Sequence, residues 1–162
     1  MKPQAFTFKE ENLLDSIITP ISTRQSVVLC RGFKLVCQQA NVRALWDTGA
    51  TGSSISRGLA RHLGLEIIDM CQVRGVSGVQ PSPVYLVDIL LPSNVEISNV
   101  RVTEFLDNGN FDILIGMEII TLGDFAISNK DKKTIVSFRT PPSDNPIDFL
   151  QEINESSNQN VF

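Results

Sequence analysis

The sequence is poor in the side chains that metal and thiol chemistry use. Its 162 residues include one histidine, His62, and three cysteines, Cys30, Cys37 and Cys71. An odd number of cysteines without C-x-x-C spacing argues against both a disulfide framework and a structural zinc site. A Cys–His nucleophile would have to join Cys37 to His62, and His62 lies off the apolar stripe of its segment, as a solvated residue does. Neither a metal nor an organic cofactor is expected. Basic charge is also scarce, with 14 Lys and Arg against 18 Asp and Glu and a net charge of -4. That balance offers no field for nucleic acid or an anionic membrane. The densest basic group, Lys130-Asp131-Lys132-Lys133, is interrupted by an acid and reads as a turn. No stretch approaches the ~18 to 20 apolar residues of a membrane span. Residues 1–15 lack the apolar core and small residues of a signal peptide. The expected setting is the cytoplasm.

What is present is a succession of short β-rich runs. Val27-Val28-Leu29-Cys30, Phe33-Lys34-Leu35-Val36-Cys37 and residues 42–46 are three of them, with Arg31-Gly32 between the first two. Repeated short strands separated by glycine indicate an all-β barrel or sandwich. Residues 53–65 break the texture. Ile55, Leu59 and Leu63 recur four apart, which predicts a short helix with Ser53 or Ser54 at its start and Gly64 at its end. Residues 70–92 read as a hairpin with a Gly75-Val76-Ser77-Gly78 tip, whose glycines confer mobility. Strand alternation continues over 95–106. An apolar strand, 111–116, then ends in glycine, one or two helical turns follow over 117–122, and a last hairpin covers 125–138. Pro20 is read as a breaker, so residues 1–25 are taken as an N-terminal extension to a domain spanning 26–140. Residues 141–162 turn polar and are read as a flexible tail, in which 146–153 is a candidate for a short docked helix.

The chain centres on Ala44-Leu45-Trp46-Asp47-Thr48-Gly49-Ala50-Thr51-Gly52, where an apolar run stops at a lone acid followed by small residues. The tripeptide Asp-Thr-Gly alone is weak, because Asp and Gly both favour turns and an Asx-type turn closing a strand accounts for it. Its company is more specific. Asp47-Thr48-Gly49-Ala50, a glycine-tipped hairpin and Ile113-Leu114-Ile115-Gly116-Met117-Glu118-Ile119-Ile120-Thr121 stand in that order.

Together these landmarks resemble the retropepsin family, single-domain aspartic proteases, over residues 26–139. The resemblance implies a closed β-barrel with one or two short helices. It implies that Asp47 is the catalytic acid, that Thr48 locks the two active-site loops together, that Gly49 lets the backbone come close to substrate, and that Ala50 belongs to the same supporting loop without donating a hydrogen bond to the carboxylate. It makes Gly75, Val76, Ser77 and Gly78 the flap over substrate, and Ile115 and Gly116 the strand end beside the Asp47 loop. Hydrolysis by carboxylates needs two of them sharing a proton, one as base on water and one as acid on the carbonyl oxygen. The chain has one Asp-Thr-Gly, so the resemblance implies a homodimer pairing Asp47 with its own image and acting on polypeptide. Asp112, followed by Ile-Leu-Ile instead of Thr-Gly, is a poor second acid. Thr51-Gly52 and Met117 stand where viral members commonly carry dimer-linking acids and an arginine, and this is closer to the bacterial and cellular relatives. The alternative is a catalytically silent dimeric peptide-binding module of the same fold, which would have no need of the intact triplet. The terminal segments are candidates for self-processing.

Overall fold

Six strands close on themselves. In the computed structural model, which describes residues 2–29, 38–75 and 78–159, the barrel order is β2 (Ile18–Gln25), β3 (Gln39–Trp46), β8 (Ile113–Ile115), β4 (Ser54–Ser56), β7 (Val95–Phe105) and β6 (Gly78–Leu91), and β6 pairs back onto β2. Strand β5 (Asp69–Gly75) adds to β6 outside the ring and forms a hairpin arm with it. Most neighbours are antiparallel, but β3–β8 and β4–β7 run parallel. A second sheet, β1 (Gln4–Glu10), β10 (Thr134–Thr140) and β9 (Asp124–Ser128), is antiparallel throughout. Three α-helices lie among the described residues: α1 (Arg57–His62), α2 (Met117–Ile120) and α3 (Phe149–Gln159). The all-β barrel expected from the residues is the fold observed. Among the described residues no helix is long and apolar enough to cross a membrane.

The strands alternate as half-buried strands must, with successive side chains on opposite faces. Ile113 and Ile115 are fully buried, whereas Leu114 between them faces outward. Ile55, Val87, Ile89, Val95 and Val102 complete the sealed interior. The closing seam carries a buried carboxylate. Asp88 sits at a register shift between Val87 and Ile89 and accepts from Arg24 Nε at 3.2 Å, Val27 N–H at 3.3 Å and Asn99 N–H at 3.0 Å. A buried charge is tolerated when it is paired and its lone pairs are filled, and here one side chain ties β2, β6 and β7 together.

Several boundaries differ from expectation. Residues 1–25 are built into the two sheets: β1 pairs with β10 over seven positions in the second sheet, and β2 is a barrel strand. Pro20 does not break β2, because pairing with β6 begins only at Ser22 and leaves Pro20 at an open edge, where a missing N–H costs little. Val27–Leu29 is a 3-10 turn, not a strand. Phe33 to Cys37, the next expected strand, and Cys30 lie outside the described residues. Ser54–Ser56 is strand β4, so helix α1 starts later than expected and its cap is Ser56, whose Oγ accepts from Leu59 N–H at 3.3 Å. Gly64 does end it. With φ +62 it allows Leu65 N–H to reach Ala60 O and Gly64 N–H to reach Arg61 O, the paired bonds of a Schellman stop. The polar tail carries α3, which begins and ends later than the expected 146–153 helix, with Phe149, Leu150 and Ile153 exposed.

Candidate active site

Trp46 explains why an acid can follow an apolar tripeptide. Its indole is buried among Phe6, Phe125 and Phe138, with ring centroids 5.9, 5.0 and 5.4 Å away. Those three rings come from β1, β9 and β10, so the cluster joins the second sheet to the barrel. Offset and tilted aromatic contacts of this kind add ~0.5 to 1.5 kcal/mol per pair beyond area burial. The indole N–H donates to Thr19 Oγ1 at 2.9 Å within the core. The residue before Asp47 is therefore held from two sides.

Asp47 leaves β3 at its end. Its own N–H donates to Ile115 O at 2.9 Å, which extends the parallel β3–β8 ladder by one bond. Its Oδ1 accepts from Gly49 N–H at 2.8 Å. This is the Asx-type turn that the tripeptide alone suggested, and it leaves the half-buried carboxylate aimed by a short loop on a rigid strand. A Cβ on Gly49 would stand 3.1 Å from Asp47 Oδ1, so the close approach uses the glycine. Thr48 is exposed, and its hydroxyl makes no hydrogen bond among the described residues.

The loop 47–53 is clamped from below by the start of α2. Met117 N–H donates to Ala50 O at 2.8 Å and Glu118 N–H to Thr51 O at 3.1 Å. In return Glu118 Oε1 accepts from Ser53 N–H at 2.7 Å, and the buried Ser53 Oγ accepts from Gly116 N–H at 3.1 Å. Gly116 itself passes so close that a Cβ there would lie 2.5 Å from Gly52 O. Ile115 and Gly116 thus sit beside the Asp47 loop. The part that Ser53, Glu118 and Trp46 play in this site was not read from the residues, Ser53 being taken as a helix start, since each acts through a contact far along the chain. Asp112 lies at the other end of β8, where its Oδ2 accepts from Arg43 N–H at 3.0 Å, away from Asp47.

The β5–β6 arm faces this loop across a groove of about 530 Å³. Gly75 pairs with Gly78 at its far end, and Gly78 has φ +101, which favours glycine. Val76 and Ser77, expected at the tip, lie outside the described residues. The arm is braced at its root. Glu104 accepts from Arg57 Nε at 2.6 Å and Tyr85 OH at 2.7 Å, while Ser82 Oγ accepts from Glu104 N–H at 3.0 Å. Burial, and then the bond to Glu104, push the Tyr85 phenol up to about 12. The same carboxylate raises the Arg57 guanidinium above its ordinary value. Among the described residues no three His, Cys, Asp or Glu side chains gather as a metal site.

A strand-held Asp-Thr-Gly loop, a glycine strand end packed on it and a hairpin arm across a groove make one constellation. The family model described as Aspartyl protease matches residues 34–119, just over half of the chain. The chain belongs to the aspartyl protease family. The match contains Asp47, the hairpin and Gly116, the three landmarks of the sequence. Among solved structures, a retropepsin-like aspartic protease from Rickettsia conorii is similar, with a TM-score of 0.50 and 12% identity over 86% of this chain and 97% of that one. At that identity the likeness bears on fold, and it agrees with a retropepsin-like barrel. No curated protein matches the sequence.

Proposed function

We propose that the protein is an aspartic endopeptidase that works as a homodimer, with the Asp47 carboxylate of each copy flanking one water. Family membership supports a protease. The observation that carries the finer reading is Asp47 itself: a single carboxylate on a rigidly held loop, followed by the exposed Thr48 and Gly49. A second copy placed on that face supplies the missing acid and a partner for the Thr48 hydroxyl. Two carboxylates a few ångströms apart cannot both be ionised, so the pair holds one proton. The ionised carboxylate takes a proton from water as its oxygen bonds to the peptide carbon. The protonated one gives its proton to the carbonyl oxygen. The tetrahedral diol then collapses, the C–N bond breaks, and the amine leaves with a proton from the dyad.

Substrate lies extended in the groove, bonded through its main chain as an added strand would be. The β5–β6 arm closes over it as a flap, with the Gly75–Gly78 pair at its far end and the Glu104 brace at its root. Closure excludes bulk water and strengthens the electrostatics of the dyad. The odd cysteines and the free thiol of Cys71 fit a reducing, cytoplasmic setting.

Cleavage of a diverse peptide mixture, read by mass spectrometry, tests the reading. Asp47→Asn should lower the rate at every site by at least about a hundredfold, the ordinary worth of a general acid–base group. Equal cleavage by wild type and Asp47→Asn would refute it.

A further inference from the structure

The walls of the groove carry an unmet positive charge, and that charge bears on which polypeptide is cut. Three charged residues line it: Arg74 on the arm, Arg101 on β7 and Glu118 on α2. Glu118 has one oxygen committed to Ser53 N–H. Arg101 spends Nη2 on Asp69 Oδ2 at 2.6 Å, a bond that holds the Asp69 carboxyl below its usual range. More than half of the Arg101 side chain nevertheless stays exposed, at 56%. Arg74 is exposed and has neither ion pair nor hydrogen bond among the described residues. It stands next to Gly75, at the far end of the arm.

The floor between these charges is the outward face of the barrel. It is built for polar side chains as much as apolar ones. Ser54 Oγ and Thr103 Oγ1 lie 2.9 Å apart on it, next to Leu114. A hydroxyl pair can reorient to donate to an anion, and two guanidinium groups above it supply N–H donors suited to carboxylate geometry. With Arg101 paired to Asp69 and Glu118 of opposite sign, Arg74 is the guanidinium of this lining left for a substrate among the described residues.

We propose that the groove selects polypeptides carrying an aspartate or glutamate side chain close to the bond that is cut, with Arg74 as the principal reader and Arg101 as its support. This rests on the reading of Asp47 as the hydrolytic acid and adds a substrate class to it. Successive side chains of an extended peptide point to opposite faces. Only alternate substrate positions meet the arginines, and the acidic preference therefore falls at one position or at two positions of the same parity.

The test uses a library of C-terminally amidated peptides, so that no terminal carboxylate competes for the arginines. The protein is the full chain, compared with Arg74→Gln, Arg74→Glu and Arg101→Gln. Wild type should favour Asp and Glu over Gln at one position by roughly threefold to fivefold, the range of a solvent-accessible ion pair. Half-molar salt should shrink the ratio. Arg74→Gln should bring it toward unity, Arg101→Gln should reduce it, and Arg74→Glu should turn it toward Lys and Arg. Cleavage without acidic preference, or a preference that Arg74→Glu leaves in place, would overturn this inference and leave the protease reading intact. If no peptide is cut, the protease reading fails, and fluorescence anisotropy with the same peptides decides the inference. Tighter binding of the acidic peptide, lost in Arg74→Gln, supports it, and equal binding overturns it.

Discussion

Replacing Gly116 by alanine adds one methyl group where the backbone of the Asp47 loop already stands. The new Cβ would lie 2.5 Å from Gly52 O, 2.7 Å from Gly52 C and 3.0 Å from Ala50 O, whereas ordinary contact begins at 3.4 Å. The obstacles are backbone atoms, so no side chain can swing away. The loop has to retreat by almost 1 Å, and Met117 N–H and Gly116 N–H, which hold Ala50 O and Ser53 Oγ, are strained with it. Overpacking of this kind costs about 1 to 3 kcal/mol. For a chain of this size that lowers the melting temperature by roughly 3 to 10 °C. A shift of about 1 Å at a catalytic group costs on the order of a hundredfold in rate. Gly52→Ala is the matched control. Its Cβ meets only Glu118 Oε2, at 3.5 Å, and its φ is not positive, so stability should stay within about 0.5 kcal/mol. Thermal unfolding followed by the fluorescence of the lone tryptophan, Trp46, gives the stability of both variants, and peptide cleavage gives their rates. Gly116→Ala matching wild type in both would refute the proposed packing of strand end on loop.

Two further predictions use the same chain. Tyr85 is the only tyrosine, so its phenol can be titrated by ultraviolet absorbance without interference; it should ionise near 12 instead of 10, and Glu104→Gln should bring the midpoint down. Because the folded state holds this proton more tightly than the unfolded chain does, its contribution to stability is complete below pH 10 and is lost as pH rises toward 12, which denaturant melts between pH 9 and 12 would show. Asp88→Ala should destabilise by about 3 kcal/mol, since it leaves Arg24 and two backbone N–H groups without their buried acceptor; a change below about 0.5 kcal/mol in urea would contradict the seam described for β2, β6 and β7.

What could be read from the residues was local. The Asp47 turn, the glycine-tipped hairpin and the Ile-Leu-Ile-Gly strand end each depend on backbone constraints within a few residues. What was missed depends on distant partners. Strand β1 is held by β10, with Gln4 opposite Thr140, and nothing near residue 4 announces that pairing. The spacing of Ile55, Leu59 and Leu63 was read as one helical face. Ile55 is in fact a strand residue, and the helix begins after it; all three point into the core, so the spacing could not separate the two states. Asp88 was passed over within the 70–92 hairpin, and its role comes only with Arg24 and Asn99 beside it. The role of Trp46 was hidden for the same reason, since its aromatic partners are spread from Phe6 to Phe138.

The central claim is that two copies of Asp47 make one active site, and mixing tests it most directly. Wild type is co-refolded with an equal amount of Asp47→Asn, and peptide cleavage per wild-type chain is compared with wild type refolded alone. If both carboxylates are required, random pairing leaves about half of the wild-type chains in mixed, inactive dimers, and activity falls to about half. Activity unchanged by the mutant chain, at concentrations where exchange between copies is demonstrated, would contradict the account.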